Sequence, residues 1–314
     1  MPELPEVEHL RRSLDPVLVG ARLHAVTVRR RSVVDRSGAE LGDALLSGQT
    51  IVATHRRGKQ MALEAGNGRA LVVQLGMTGS MTIEAGVAPR GMEAKHRHVL
   101  WDFSPGNADG PRGSTPRWRL AFRDPRRFGG LTAYASMDAL HQTWSELGPD
   151  ALTISASDLA AALARARRPI KAALLDQGVL AGVGNIYADE SLFAARIHPL
   201  RLAAALEHAE VAELARQLRR ILSAAVEQGG STLRDYRDAF GQPGTAVQSH
   251  AAYGREGQPC LTCGTPLEGI RVIARATVFC PQCQTRCQDL STIVGMTVPV
   301  PGGRAAARPS RRGK

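Results

Sequence analysis

Apolar residues recur along this 314-residue chain at two different periods, and the change between them divides it. Val7, Leu10 and Leu14 follow Pro5 at helical spacing. A proline suits the first turn of a helix because its missing N–H would have no partner there. Asp15-Pro16 is the expected stop. From residue 20 to about 134 the pattern reads as strands. In Val99–Phe103 and Trp118–Phe122, alternate residues Val99, Trp101, Phe103, Trp118, Leu120 and Phe122 are apolar, as expected of two hairpin arms. Between the arms, 104–117 is rich in Gly, Pro, Ser and Asn and reads as a long surface loop. Several such strands without regular intervening helices predict a sandwich or barrel.

Glu146-Leu147-Gly148-Pro149-Asp150 is the expected hinge, and from Ser155 the helical period returns. Leu159, Leu163 and Ala166 predict a helix that bends or ends near Pro169; Ile170, Ala173 and Leu174 carry a second toward Gly178. Leu214, Leu218, Ile221, Leu222 and Ala225 face one side of a long helix that stops at Gly229-Gly230. The second domain is therefore expected to be helical, and the chain shows no internal repeat. Its last stretch, 304–314, has five basic residues and no acidic one among Gly, Ala and Pro, and reads as a disordered tail.

Composition narrows the classes. Forty Lys and Arg against 29 Asp and Glu give a formal charge of +11, which points to a polyanionic partner, nucleic acid before membrane. Aromatics at 4% argue against a sheet that stacks single-stranded bases. No apolar run approaches the roughly 20 residues that span a bilayer, and the acidic, proline-punctuated start does not resemble a signal peptide. A cytoplasmic protein is expected, so the five cysteines read as ligands or free thiols rather than disulfides. Cys260-x2-Cys263, a 16-residue spacer and Cys280-x2-Cys283 have the spacing of one structural tetrahedral zinc site on a hairpin, with Cys287 outside the pattern. Arg271 and Arg275 between the pairs, and Arg286 beyond them, suit phosphate.

Four further stretches carry candidate chemistry. Met1-Pro2-Glu3 would expose a secondary amine at Pro2 once Met1 is removed, beside a carboxylate able to move protons. The nearby helix N-terminus disfavours the protonated amine, while Glu3 pulls the other way. Lys59, in His55-Arg56-Arg57-Gly58-Lys59, sits at an expected strand turn, where it reads as a phosphate ligand, a second amine or, more commonly for a lone lysine, a surface cation. Leu75–Gly79 and Asp124–Gly129 are loops with Met77 and Phe128 at their tips. Large apolar tips beside arginines suit a wedge in an opened base stack; taken singly, either also reads as a core residue. Gly182-Val183-Gly184-Asn185 precedes a helix with Asn185 as the expected cap, where free N–H groups could hold a phosphate or simply form a turn.

Taken together, Pro2–Glu8, Gly58-Lys59, Leu75-Gly76-Met77, Asp124–Gly129, Gly182–Tyr187 and Cys260–Cys283 resemble, in order and spacing, the bacterial formamidopyrimidine-DNA glycosylase family over almost the whole chain. The resemblance implies an α+β, two-domain protein: an N-terminal helix with a β-sandwich, then a helix-two-turn-helix domain with a C-terminal zinc-finger hairpin. The boundaries expected are 1–134, a hinge at 135–150, 151–250 for the helical domain, 251–290 for the zinc finger and 291–314 for the basic tail. It implies a bifunctional glycosylase and AP lyase that excises 8-oxoguanine and ring-opened purines from duplex DNA, one structural Zn2+ on the four cysteines, and a monomer. Pro2 would be the nucleophile, Glu3 the general acid, Lys59 a proton donor and phosphate contact, and Arg275 the zinc-finger arginine on the lesion phosphates, also matching a proton donor for the last elimination. Met77, Arg126 and Phe128 would fill the hole left by the extruded nucleotide, with Arg126 facing the orphaned cytosine. His96, Arg127, Arg167, Lys171 and Asn185 align with DNA-contacting positions, Arg167 replacing a lysine.

Two departures stand out. Thr245-Ala246-Val247-Gln248 follows Pro243-Gly244 where the family often carries an aromatic pair, which bears on lesion preference. The chain also runs about 30 residues past Cys283, a tail expected to add nonspecific DNA affinity. The alternatives are the sister endonuclease VIII type, with oxidised pyrimidines as substrate, and a non-catalytic zinc-ribbon DNA-binding protein. Leu4 rather than glycine, and Val7-Glu8, favour the first reading over the sister type.

Overall fold

The computed structural model describes residues 2–85, 95–105, 118–233 and 236–285. The tail, most of the 104–117 loop, Arg286 and Cys287 therefore lie outside the described residues. The chain opens with helix α1 (Leu4–Leu18) and continues through β1 (Arg22–Val28), β2 (Val34–Asp35), a short α2 (Leu41–Ala44), β3 (Ile51–Arg57), β4 (Gln60–Ala65), β5 (Ala70–Gln74), β6 (Ser80–Ala85), β7 (Arg97–Ser104), β8 (Trp118–Arg123) and β9 (Gly130–Tyr134). These strands form two sheets, ordered β1-β7-β8-β6 and β2-β9-β5-β4-β3. All neighbours are antiparallel except β2 and β9. A sandwich results. The predicted arms β7 and β8 pair with Trp101 opposite Leu120 and Phe103 opposite Trp118. Trp101, Phe103 and Phe122 are fully buried between the sheets, each worth about 2–3 kcal/mol relative to exposure.

Helix α1 does not stop at Asp15-Pro16 as the sequence suggested; Pro16 lies inside its last turn. Proline there forfeits one backbone bond, but continuing the helix carries Leu18 into the core beside Leu10 and Leu14, all fully or nearly fully buried. Burial outweighs one lost hydrogen bond. The same helix serves both domains. Val7, Leu10, Leu14 and Leu18 belong to the sandwich core, whereas Leu4 belongs to the core of the second domain.

Between the domains, the expected hinge contains a helix, α3 (Met137–Trp144), capped by Ser136 and packed through Leu140 and Trp144 on Ala62 and Val72. The second domain comprises α4 (Ala156–Leu163), α5 (Ile170–Leu175), α6 (Asn185–Ala194) and α7 (His208–Glu227). Pro169 separates α4 from α5, and Gly229 and Gly230, at φ +77° and +78°, follow the end of α7. A hairpin of β10 (Glu268–Val272) and β11 (Arg275–Phe279) then packs on α6. A return contact closes the arrangement: Ile83 N–H on edge strand β6 donates to Ala239 O at 2.8 Å, and Ala239 is buried in the sandwich core.

A buried ion cluster ties α1, β3 and the linker. Arg56 donates two bonds to Asp150 (2.7 and 2.9 Å) and one to Glu8 (3.0 Å), which also accepts from Arg11 and Arg12. Burial pushes the Glu8 carboxyl up, but the arginine hydrogen bonds outweigh it and hold the group at about 2. A carboxylate depressed in the folded state stabilises above its ordinary value of 4.5 and loses that contribution as pH falls toward 2. Thermal midpoints should therefore drop through that window. Glu8→Gln should be less stable at neutral pH and show a shallower acid decline.

Candidate active centre and nucleic-acid interface

The N-terminal residues Pro2, Glu3 and Leu4 are buried where α1 meets α6. Leu4 N–H donates to Gly182 O at 3.1 Å. Glu3, 1% exposed, accepts from the backbone N–H groups of Gly184 (2.7 Å), Ile186 (2.9 Å) and Tyr187 (3.4 Å). Its carboxylate thus occupies the positive end of α6, where unpaired amides and the helix dipole favour an anion. This corrects two expectations. Gly184, not Asn185, is the N-cap of α6, and several of the amides proposed for phosphate are taken by Glu3. The glycines exist for this docking: a Cβ on Gly184 would lie 2.2 Å from the Glu3 carboxyl carbon, and one on Gly182 2.3 Å from Leu4 Cδ1.

Burial dominates the Glu3 equilibrium. It raises the carboxyl to about 7 against the lowering effect of Lys59, with Glu6 raising it further and the Ile186 and Tyr187 amides lowering it. The group can therefore keep a proton near neutrality while sitting in an anion site. Glu6, also buried, is a hub that sequence reading did not single out. It accepts from Glu3 N–H, Tyr187 O–H and Ser231 N–H, each at 2.7 Å, while its own carbonyl accepts from Tyr236 O–H at 2.8 Å. The available signal was the Glu3-x-x-Glu6 spacing of a reciprocal helix cap.

Lys59 stands in the two-residue turn between β3 and β4. Gly58 takes φ +55° there, a Cβ on it would lie 3.1 Å from Ala181 Cβ, and its N–H donates to Asp150 at 2.9 Å. Burial lowers the Lys59 ammonium; Glu3 and Glu6 raise it, and Arg275 lowers it. Glu3, Glu6 and Arg275 are thus all electrostatic neighbours of Lys59. Arg275 itself is exposed at the start of β11.

Lys171 is fully buried rather than surface-facing: its ammonium lies 2.7 Å from Asp189 and donates to Ala276 O and Thr277 Oγ1. Burial lowers Lys171 and raises Asp189 to about 6, each opposed by the other's charge. Asn185 donates to the same Ala276 carbonyl at 2.9 Å. Both residues therefore fasten the β10–β11 hairpin to the helical domain. At its base, the Sγ atoms of Cys260, Cys263, Cys280 and Cys283 all lie within 4.8 Å of one another, with pairs at 3.5 and 4.0 Å. Tetrahedral zinc with bonds of about 2.3 Å needs sulfurs roughly 3.8 Å apart, and two N–H···S bonds orient Cys260 and Cys280. The residues fit the metal.

In the sandwich domain, buried Asp124 organises two loops. It accepts from Thr78 Oγ1 (2.6 Å), Arg126 N–H (3.3 Å) and Gly129 N–H (2.7 Å). A Cβ on Gly76 would meet Gly129 N at 2.4 Å, so the loops touch backbone to backbone. Their tips carry half-buried Met77 and 60%-exposed Phe128, with the Arg126 guanidinium 4.7 Å from the Phe128 ring. Arg127 and His96 are exposed at φ +58° and +61°, and Arg167 is exposed just before α5.

Comparison with known proteins agrees with this layout. The model of the formamidopyrimidine-DNA glycosylase N-terminal domain matches residues 1–131, that of the formamidopyrimidine-DNA glycosylase H2TH domain matches 147–237, and that of a zinc finger found in FPG and IleRS matches 257–289. The formamidopyrimidine-DNA glycosylases of Herpetosiphon aurantiacus and Pseudomonas entomophila are each 42% identical, over 90% of this chain and all of theirs. The crystal structure of the MutM (Fpg) protein from Thermus thermophilus has 40% identity and a TM-score of 0.75, covering 90% of this chain and 98% of that one. Lactococcus lactis Fpg bound to DNA containing an abasic site has 31% identity and a TM-score of 0.79, covering 91% of this chain and all of that one. The cysteine cluster is a site for one structural zinc.

Two tests follow from the geometry. Gly184→Ala should displace Glu3 and destabilise the protein by about 1–3 kcal/mol, read as a lower urea midpoint. Chelating the zinc should unfold the hairpin and expose the Lys171–Asp189 pair, seen as rapid amide exchange at Ala276–Phe279 with α1 still protected.

Proposed function

The chain belongs to the formamidopyrimidine-DNA glycosylase family, and on that footing we propose that Pro2, Glu3, Lys59 and Arg275 form its reacting centre, acting on oxidised purines in duplex DNA. The protein is a DNA glycosylase of base excision repair with AP-lyase activity. The endonuclease VIII-type alternative is not favoured. Among the described residues no helix is long and apolar enough to cross a membrane. The observation that carries the assignment is the Glu3 carboxyl, buried beside Pro2 with its pKa at about 7 and within electrostatic reach of Lys59.

With Met1 removed, the Pro2 nitrogen attacks C1′ of an extruded nucleotide. The N–C1′ bond forms, the glycosidic bond breaks, and its electron pair leaves with the base, which takes up the proton that the alkylated Pro2 nitrogen gives up. Glu3 then protonates the sugar ring oxygen as the ring opens and the nitrogen lone pair forms the iminium. A carboxyl held near neutrality matches this task; one at the ordinary value would already have lost its proton. Loss of a C2′ proton expels the 3′ phosphate, and a further elimination expels the 5′ phosphate. Lys59 and Arg275 supply charge and protons to those leaving groups. Met77, Arg126 and Phe128 fill the space of the extruded nucleotide, offsetting a cost of a few kcal/mol. Exposed His96, Arg127 and Arg167 contact the backbone; Lys171 and Asn185 serve it indirectly by holding the hairpin. The boundaries 1–134, 135–150, 151–250, 251–290 and 291–314 accompany this reading; the separate cores of the sandwich, the helical domain and the zinc hairpin support the division of the described residues, and 291–314 lies outside them.

Borohydride reduction during incubation with duplex containing 8-oxoguanine opposite cytosine should yield a covalent adduct. Pro2→Gly should keep lesion binding while slowing turnover by orders of magnitude, and Glu3→Gln should lose base excision but retain some cleavage at a preformed abasic site. No adduct with any lesion, from protein with a confirmed Pro2 N-terminus, would refute the reading.

A further inference from the structure

The tip of the zinc hairpin combines two unfavourable features. Strand register pairs Val272 with Arg275 and leaves Ile273-Ala274 as a two-residue turn, in which both residues take positive φ, +43° and +61°. The twist of a hairpin favours this hand of turn, which normally takes Asn, Asp or Gly. In the left-handed region Cβ crowds the following carbonyl, and a β-branched residue suffers most. Ile273 gains little burial in return: it is 55% exposed. Backbone strain and exposed apolar surface thus coincide on one side chain, which lies in none of the hydrophobic cores of the described residues.

Its surroundings indicate what does. The hairpin is fastened at Ala276, whose carbonyl accepts from both Lys171 and Asn185. Arg275, next to the turn, is close enough to Lys59 to lower that ammonium. The tip is therefore the outer end of an arm anchored beside the reacting centre. Exposed Arg271 and Arg275 flank it. The sandwich domain also sets an exposed apolar tip beside a left-handed residue: Phe128 follows Arg127 and lies under the Arg126 guanidinium.

We propose that Ile273 is a DNA-contacting residue that packs on the apolar sugar face of the damaged strand, next to the phosphates held by Arg275. This rests on the function proposed above. Arginines that grip phosphates leave the C–H surface of the adjoining deoxyribose facing the hairpin, and an aliphatic tip covers that surface without competing for the anions. An apolar contact of this kind adds affinity but releases no counterions, so it differs from Arg275 in its salt dependence.

Ile273→Gly and Ile273→Asn both suit the left-handed turn. Each should melt at or above the wild-type temperature and bind duplex with a tetrahydrofuran abasic analogue about fivefold more weakly. The slope of log K against log salt should be unchanged, whereas Arg275→Ala should reduce it by about one. Wild-type affinity in both variants overturns the proposal. So does weaker binding with a reduced slope, which would place the loss in phosphate contacts. Lower melting temperatures in both variants would overturn the strain argument behind it. Failure of the wild type to form a borohydride-trapped adduct would instead refute the proposed function. A wild type that traps, with variants that bind as tightly, refutes this inference alone.

Discussion

One carboxylate seated on another domain's helix governs this molecule. Glu3 belongs to the start of α1, yet its hydrogen-bond partners are the first amides of α6, more than 180 residues later in the chain. Leu4 follows it into the second core, where Gly182 leaves room. The docking fixes the residue before it, Pro2, without needing a contact of its own. It also sets the acid strength of Glu3, because the burial that α6 enforces outweighs the amides that α6 supplies. Position and protonation thus have one origin.

The remaining interdomain contacts serve the same point. Asp150 in the linker grips Arg56 and the Gly58 N–H, so the turn bearing Lys59 is referred to the second domain as well as to its own sheet. Glu6 ties α1 to Tyr187 and Ser231, and Ala239 docks on β6. A buried ion pair adds little net stability over an apolar replacement but is costly to break. Such a network suits a seam whose geometry matters more than its strength.

Around this seam the two rims are built alike from different folds. Asp124 holds two glycine-bearing loops together so that Phe128 and Arg126 project. On the other side a zinc-based hairpin, pinned by Lys171 and Asn185, carries Arg275 and Ile273. In both places rigid support inside allows an apolar tip outside, where entropy would otherwise blur a mobile side chain.

Local chemistry was legible without a structure. Alternation predicted β7 and β8 as hairpin arms and the apolar residues on their shared face, because a period of two admits one buried face; the register came from the structure. The cysteine spacing implied its metal, since two short pairs suffice for four ligands. The helical period, with Pro169 and Gly229-Gly230 as breaks, placed α4, α5 and α7. What escaped were choices made by distant partners. Asp15-Pro16 reads as a stop, but Leu18 finds a core on the far side of it. Asn185 reads as a cap, but the amides it would serve are claimed by Glu3. Lys171 aligns with a DNA-contacting position, but Asp189 and the hairpin carbonyl enclose it. The sequence by itself determined periodicity, turn chemistry and metal ligation, each set within a few residues. Tertiary structure alone decided which polar group answers which, because burial makes that pairing obligatory and the partners are far apart in the chain.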